Sequence, residues 1–180
     1  MKILNIHGFM GEADNKNYKA LCGFVSPDDI ISPQLQYKEQ SPNELLASLS
    51  APIDTPDNYI FIGQSLGGWY ADQLSRKYQR PCILTNPCYY PHELGLITES
   101  GIPLNYLKQY EEQSAHERNE RATVLCSDAD TVLTNNYARC RELARLVIIV
   151  CGSHSTIDGL PRILHDMWRK MQWDIEKAGN

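Results

Sequence analysis

Residues 60–68, Ile60-Phe61-Ile62-Gly63-Gln64-Ser65-Leu66-Gly67-Gly68, pass from a β-branched and aromatic run through Gly-x-Ser-x-Gly into a segment of helical periodicity. A strand that turns sharply into a helix and lifts a serine on the bend is the nucleophile elbow, and few folds contain one. Side chains at positions 63 and 67 would crowd the bend, which accounts for glycine at both. Leu66, Trp69, Tyr70, Leu74 and Tyr78 then recur on one helical face, so strand, turn and helix are all encoded. Ser65 is the candidate nucleophile. The plain alternative is a glycine pair that only lets a helix pack closely on a sheet, so the pentapeptide has to be weighed with its context.

The first piece of context is the N-terminal segment. Lys2-Ile3-Leu4-Asn5-Ile6 reads as a buried strand running into His7-Gly8-Phe9-Met10-Gly11. Acyl transfer builds negative charge on a carbonyl oxygen, so two backbone N–H groups must already point to where that charge forms. They come from the residue after the nucleophile and from a loop after an earlier strand. The N–H groups of Leu66 and Phe9 are assigned to this oxyanion hole. For His7 the expectation is a structural role, packed or solvated, rather than proton transfer.

The second piece lies in the C-terminal half. Ala122-Thr123-Val124-Leu125-Cys126 and Leu146-Val147-Ile148-Ile149-Val150-Cys151 are two apolar strand candidates that each end in a polar loop. Ser127-Asp128-Ala129-Asp130-Thr131-Val132 follows the first, and Gly152-Ser153-His154-Ser155-Thr156 the second. In a parallel sheet the loops after strands gather along one edge, so distant residues can converge beside Ser65. A serine hydroxyl is unreactive unless its proton is removed during attack. His154 is the natural base, because an ordinary imidazole pKa of about 6.5 lies near working pH. A carboxylate must then hold the imidazole tautomer and stabilise imidazolium, and Asp128 or Asp130 can do this. His92 and His116 fall in a polar-rich insertion and His165 in the last helix, where solvated or capping roles are expected.

With these residues in place, the chain resembles the YqiA/YcfP-like small bacterial esterases of the α/β-hydrolase superfamily. The resemblance spans nearly the whole sequence. It rests on the opening strand with His7-Gly8-Phe9, on Gly63-Gln64-Ser65-Leu66-Gly67-Gly68, on Asn86-Pro87, on Asp130-Thr131-Val132-Leu133 and on Gly152-Ser153-His154. It implies a triad of Ser65, Asp130 and His154, and favours Asp130 over Asp128 because the family's acid lies in an Asp-x-Val-type segment. It also implies hydrolysis of carboxylic esters or thioesters through an acyl-enzyme, with a small-molecule acyl substrate and no cofactor. The segment between Pro87 and Arg121 is longer than in the shortest members. Two other readings share the scaffold: a binding protein without turnover, and an acyltransferase whose acceptor is not water.

Composition agrees. The chain has 180 residues, 42% of them hydrophobic, enough for one domain with a sizeable core. A net charge of -5 with no basic cluster argues against nucleic acid as a partner. The opening apolar stretch is short and broken by Asn5 and His7, and no run is long enough to cross a bilayer, which predicts no membrane span and a cytoplasmic location. None of the six cysteines forms a C-x-x-C pair, so no metal site is expected and buried reduced thiols are the default. Cys88, after Asn86-Pro87, is the thiol to watch for reactivity.

The pattern predicts an α/β-hydrolase fold: a compact, mostly parallel sheet of about six strands with helices on both faces. Strands are expected near 2–6, 28–32, 58–63, 82–86, 122–127 and 146–151. Helices are expected near 15–24 and 134–145, and from a capping box at Ser41-Pro42-Asn43-Glu44. A final helix carries Leu160, Ile163, Leu164, Met167, Trp168, Met171 and Ile175 on one face. The whole of 1–180 reads as one domain, with 88–121 serving either as a small cap or as a long crossover. That insertion leaves a strand on the catalytic edge and is rich in aromatics. Tyr89 and Tyr90, with Met10 from the oxyanion loop, are therefore the candidate pocket residues.

Overall fold

The computed structural model describes residues 1–53 and 59–178. Its sheet is built from β1 (Lys2–Ile6), β2 (Ile30–Ile31), β3 (Tyr59–Gln64), β4 (Cys82–Thr85), β5 (Asn119–Ser127) and β6 (Ala144–Val150). All neighbours run parallel, in the order β2-β1-β3-β4-β5-β6. This is the expected α/β-hydrolase sheet. Residue 58 of the expected third strand lies outside the described residues.

Alternation along the strands divides the core. Leu4, Ile6, Phe61, Leu84 and Val124 face one side, packed under α2 (Pro42–Ser50), α3 (Leu66–Tyr78) and α6 (Asn136–Leu143). Ile3, Ile60, Ile62, Ile83 and Leu125 face the other, covered by α1 (Lys16–Leu21) and α7 (Leu160–Ala178). A parallel sheet needs both faces covered, and the near-continuous apolar strands are the sequence form of that need. On α7, Leu160, Leu164 and Trp168 are buried and Ile163, Met167 and Met171 pack beside them. The side chain of Ile175 lies outside the described residues. At α2 the capping box forms: Ser41 Oγ accepts from Glu44 N–H at 3.3 Å, and Glu44 Oε2 accepts from Ser41 N–H at 2.7 Å.

The insertion carries α4 (Gly95–Thr98) and α5 (Leu104–Glu112), shorter elements than its length suggested. Its apolar side chains have several environments, and Leu96 and Leu104 are exposed. Ile97, Ile102 and Tyr110 enter the core, with the Tyr110 ring edge-on to Trp69 at 4.9 Å and its hydroxyl 2.7 Å from that of Tyr70. Tyr90 and Leu94 stay half-buried near the strand ends.

The chain steps from β1 outward to β2 and returns to β3, so the strand order reverses between β1 and β3. Open α/β sheets bind ligands in the crevice at such a reversal, outside the carboxyl ends of the strands. The loop 7–11 and Ser65 both lie there. Backbone crossing is tight at this point: a Cβ on Gly67 would collide with the carbonyls of Ile6 and His7, and one on Gly63 with the carbonyl of Gly67. Backbone atoms of a buried strand cannot move aside. Gly67→Ala should therefore lower unfolding stability in urea by about 3 kcal/mol or more; a midpoint equal to wild type would show that β1 and α3 can separate freely.

Candidate active site

Ser65 stands between β3 and α3 with φ 51° and ψ -119°, in a region that non-glycine residues seldom occupy. Its backbone is held on both sides. The Ser65 N–H donates to Thr85 O at 3.0 Å, and its carbonyl accepts from Gly68 N–H and Cys88 N–H, each at 2.9 Å. Strain of this kind costs about 1–3 kcal/mol and persists only where the surroundings over-determine it. The result is a hydroxyl aimed out of the strand end, with the residue only 9% exposed.

His154 Nε2 lies 2.9 Å from Ser65 Oγ, and His154 Nδ1 lies 2.8 Å from Asp130 Oδ2. The second oxygen of Asp130 accepts from the N–H groups of Val132 and Leu133, both at 2.9 Å. Burial alone would raise the Asp130 pKa, but the hydrogen bond from His154 and the two amides outweigh it and hold the carboxyl below its ordinary value. A carboxylate at Nδ1 fixes that nitrogen as the proton carrier. Nε2 is left with a lone pair toward Ser65.

Asp128 has a different position. It is exposed, and its Oδ1 accepts from Gly152 N–H at 3.1 Å. It ties the loop root together, a turn role typical of aspartate.

Leu66 opens α3, so its N–H has no intrahelical carbonyl to donate to. The Phe9 amide lies in the loop that Gly8 carries against Ser65, where a Cβ on Gly8 would come within 3.0 Å of Ser65 Cβ. His7 braces this loop from beneath. It is fully buried, Leu35 N–H donates to its Nε2 at 2.9 Å, and its Nδ1 therefore carries the proton that bonds Gly8 O at 2.8 Å. Burial pushes its pKa down, which suits a neutral structural imidazole. The Tyr37 hydroxyl donates to His7 O and completes the brace. His116 is exposed, and His165 is half-buried with its ring 5.0 Å from that of Phe24.

Two cavities lie along the loops that carry Cys88 and Phe9. One of about 170 Å³ is lined by Cys88, Tyr90, Leu94, Val132, Leu133 and Arg139. The other, of about 350 Å³, is lined by Phe9, Met10, Gln34, Tyr37 and Lys38. Met10 is 74% exposed at the rim. Tyr89 contributes to the lining of the smaller cavity, yet its side chain is buried in the core and its hydroxyl has no hydrogen-bond partner. Tyr90 is the more open of the two, with the Arg139 guanidinium 4.8 Å from its ring centre and Arg139 paired to Glu93 at 2.7 Å.

Cys88 corrects an expectation. It is buried, and desolvation pushes its thiol up to about 12, so it is inert at neutral pH. Its contribution is the backbone N–H to Ser65 O. Two features escaped the sequence reading: the small hairpin of β7 (Gly152–Ser153) and β8 (Thr156–Ile157), which presents His154 at its tip, and the contacts of Asn86. Two-residue strands are too short for periodicity to reveal. Among the described residues no three His, Cys, Asp or Glu side chains cluster as metal ligands would, and no described helix is long and apolar enough to cross a membrane.

Solved structures share this architecture. Alpha/beta hydrolase domain-containing protein 10 from mouse superposes with a TM-score of 0.72 at 14% identity, covering 97% of this chain and 90% of that one. MGS-MChE2, an alpha/beta hydrolase enzyme from the metagenome of lagoon sediments at Mar Chica, Morocco, gives 0.61 at 16% identity, over 94% and 91%. The type II thioesterase BorB from the borrelidin biosynthetic cluster gives 0.57 at 14% identity, over 92% and 91%. These likenesses establish the α/β-hydrolase fold. At the level of sequence, residues 2–156 match the profile of a family described as "Uncharacterised protein family (UPF0227)", and with that span the chain belongs to this family.

Proposed function

We propose that the chain is a serine hydrolase of acyl esters or thioesters, working through a covalent acyl-enzyme. The observation that carries this reading is the continuous contact from Ser65 Oγ through the His154 ring to Asp130. Ser65 Oγ attacks the substrate carbonyl while its proton passes to His154 Nε2. The developing oxyanion is received by the N–H groups of Phe9 and Leu66. Imidazolium, stabilised by the Asp130 carboxylate, then protonates the departing alkoxide or thiolate, leaving acyl-Ser65 and a neutral imidazole. Water enters, gives its proton to Nε2, and attacks the acyl carbon; the collapse of this second intermediate releases the acid and returns the proton to Ser65.

Labelling by a fluorophosphonate tests the reading directly. Covalent labelling at Ser65, together with turnover of p-nitrophenyl esters or acyl-CoAs, is expected. Silence toward the probe at every pH would favour a binding protein on the same scaffold.

The smaller cavity is the expected acyl pocket, with Tyr90 as one wall. Each methylene taken into an apolar pocket is worth about 0.8 kcal/mol, so Tyr90→Ala should move the preferred acyl length when short and medium esters are compared. Tyr89→Ala should instead cost about 3–5 kcal/mol of stability, because it empties a core position. Glu112→Ala, on the exposed face of α5, is the control. An unchanged chain-length profile in folded Tyr90→Ala would move the pocket to the Phe9 and Met10 side.

A further inference from the structure

We infer that Asn86 is a positioning residue that sets where His154 and Asp130 stand relative to Ser65, an inference that rests on the hydrolase reading above. Asn86 follows β4 and is 1% exposed. Its side chain joins the roots of two loops that are otherwise tied through Asp128, Ala129 and Gly152, and it reaches His154 itself. Oδ1 accepts from Ser127 N–H at 2.7 Å, at the root of the segment that carries Asp130. Nδ2 lies 2.9 Å from His154 O, 3.1 Å from Ser153 O and 2.9 Å from Ser127 Oγ.

The amide orientation is dictated by the partners. A backbone N–H can only donate and a backbone carbonyl can only accept, so reversing the amide would break every backbone contact at once. Leucine or alanine could not serve, and a carboxylate would offer no donor to the two carbonyls. The backbone adds a second requirement. Asn86 has φ 45°, a region that asparagine tolerates better than most residues. Its N–H donates to Leu125 O at 2.9 Å. The strand end on which it sits also holds the nucleophile: Thr85 O accepts from Ser65 N–H, and Cys88 N–H donates to Ser65 O. One buried amide therefore spans the bases of two loops in the contact chain, and the neighbouring Thr85 and Cys88 backbone holds the third. It touches none of the reacting atoms. Its action is through the carbonyl of His154 and the amide of Ser127.

The test uses Asn86→Asp, which keeps the shape and the acceptor toward Ser127 N–H but turns an anionic oxygen on the two carbonyls. Asn86→Gly removes the side chain while suiting φ 45°. Asn119→Ala is the control for general loss of stability, since Asn119 is a buried amide bonded to Asp72 and Ser75 far from the triad. Four quantities are read: kcat and KM on a short p-nitrophenyl ester, near-UV circular dichroism, and the downfield proton resonance of the His154–Asp130 hydrogen bond. A misplacement of about 1 Å costs about 10²-fold in rate. Each folded Asn86 variant should accordingly lose about 10–100-fold in kcat, keep KM within about threefold, and lose or broaden the downfield proton. Asn119→Ala should keep both kcat and the proton. Wild-type kcat with an intact proton in either folded Asn86 variant would overturn the inference. So would an equal loss of kcat in Asn119→Ala, or failure of both Asn86 variants to fold, since the amide would then serve the fold alone. The proton resonance needs no substrate. If wild type itself shows no turnover, the hydrolase reading fails while the resonance still decides the role of Asn86.

Discussion

Ser65→Ala is expected to lower kcat for ester hydrolysis by about four to six orders of magnitude, and His154→Ala by a similar amount, with little effect on folding. The two side chains act as one unit, so the double variant should be no worse than either single one. The physical reason is the 2.9 Å contact between Ser65 Oγ and His154 Nε2. Without the hydroxyl there is no bond to form, and without the ring nothing takes its proton. Initial rates on a p-nitrophenyl ester, with unfolding followed in urea, measure both halves of the expectation. Substantial turnover by pure Ser65→Ala would remove the central claim.

The pH dependence has a definite sign. Asp130 is held below its ordinary pKa, so its carboxylate is fully ionised throughout the neutral and mildly acidic range. The stability its contacts contribute is complete above the ordinary carboxylate pKa of about 3.9 and is lost only as pH falls through the depressed folded value.

Asp130→Asn should cost about 10⁴ in kcat, whereas Asp128→Asn should stay within a few-fold of wild type. The local hydrogen bonds say why. The amides of Val132 and Leu133 both donate to Asp130 Oδ1, so an asparagine there must turn its oxygen to them and its NH₂ to His154. A donor facing Nδ1 forces the ring's proton onto Nε2, and the nitrogen beside Ser65 can no longer act as a base. Asparagine at 128 keeps the oxygen that accepts from Gly152 N–H and changes nothing at the ring. An active Asp130→Asn enzyme with an inactive Asp128→Asn one would reverse the assignment.

Much of this molecule is legible in its sequence. Lys2–Ile6, Tyr59–Gln64 and the strand before Ser127 announce themselves, because strands buried on both faces must be apolar along their length. The elbow is equally local: three glycines and a serine at fixed spacing describe a bend whose steric demands are met within a few residues. Other features stayed hidden for a common reason. The two-residue hairpin that carries His154 has no periodicity of its own, and the inertness of Cys88 is a matter of desolvation by side chains distant in sequence. Tyr89 and Tyr90 are adjacent and chemically identical, yet one side chain is buried in the core and the other stays half-buried along the cavity.

The sequence by itself determined the order of the strands along the chain, the sharp bend at Ser65 and the polar loops that carry His154 and the two aspartates. These follow from local sterics and from periodicity, which neighbouring residues encode. Only the tertiary structure decided that Asp130 faces the ring while Asp128 ties a turn, that His7 is a neutral brace, and that Asn86 spans two loops. Hydrogen bonds between residues 24 to 68 positions apart have no signature in local pattern, because their partners meet only when the parallel sheet gathers its strand ends at one edge.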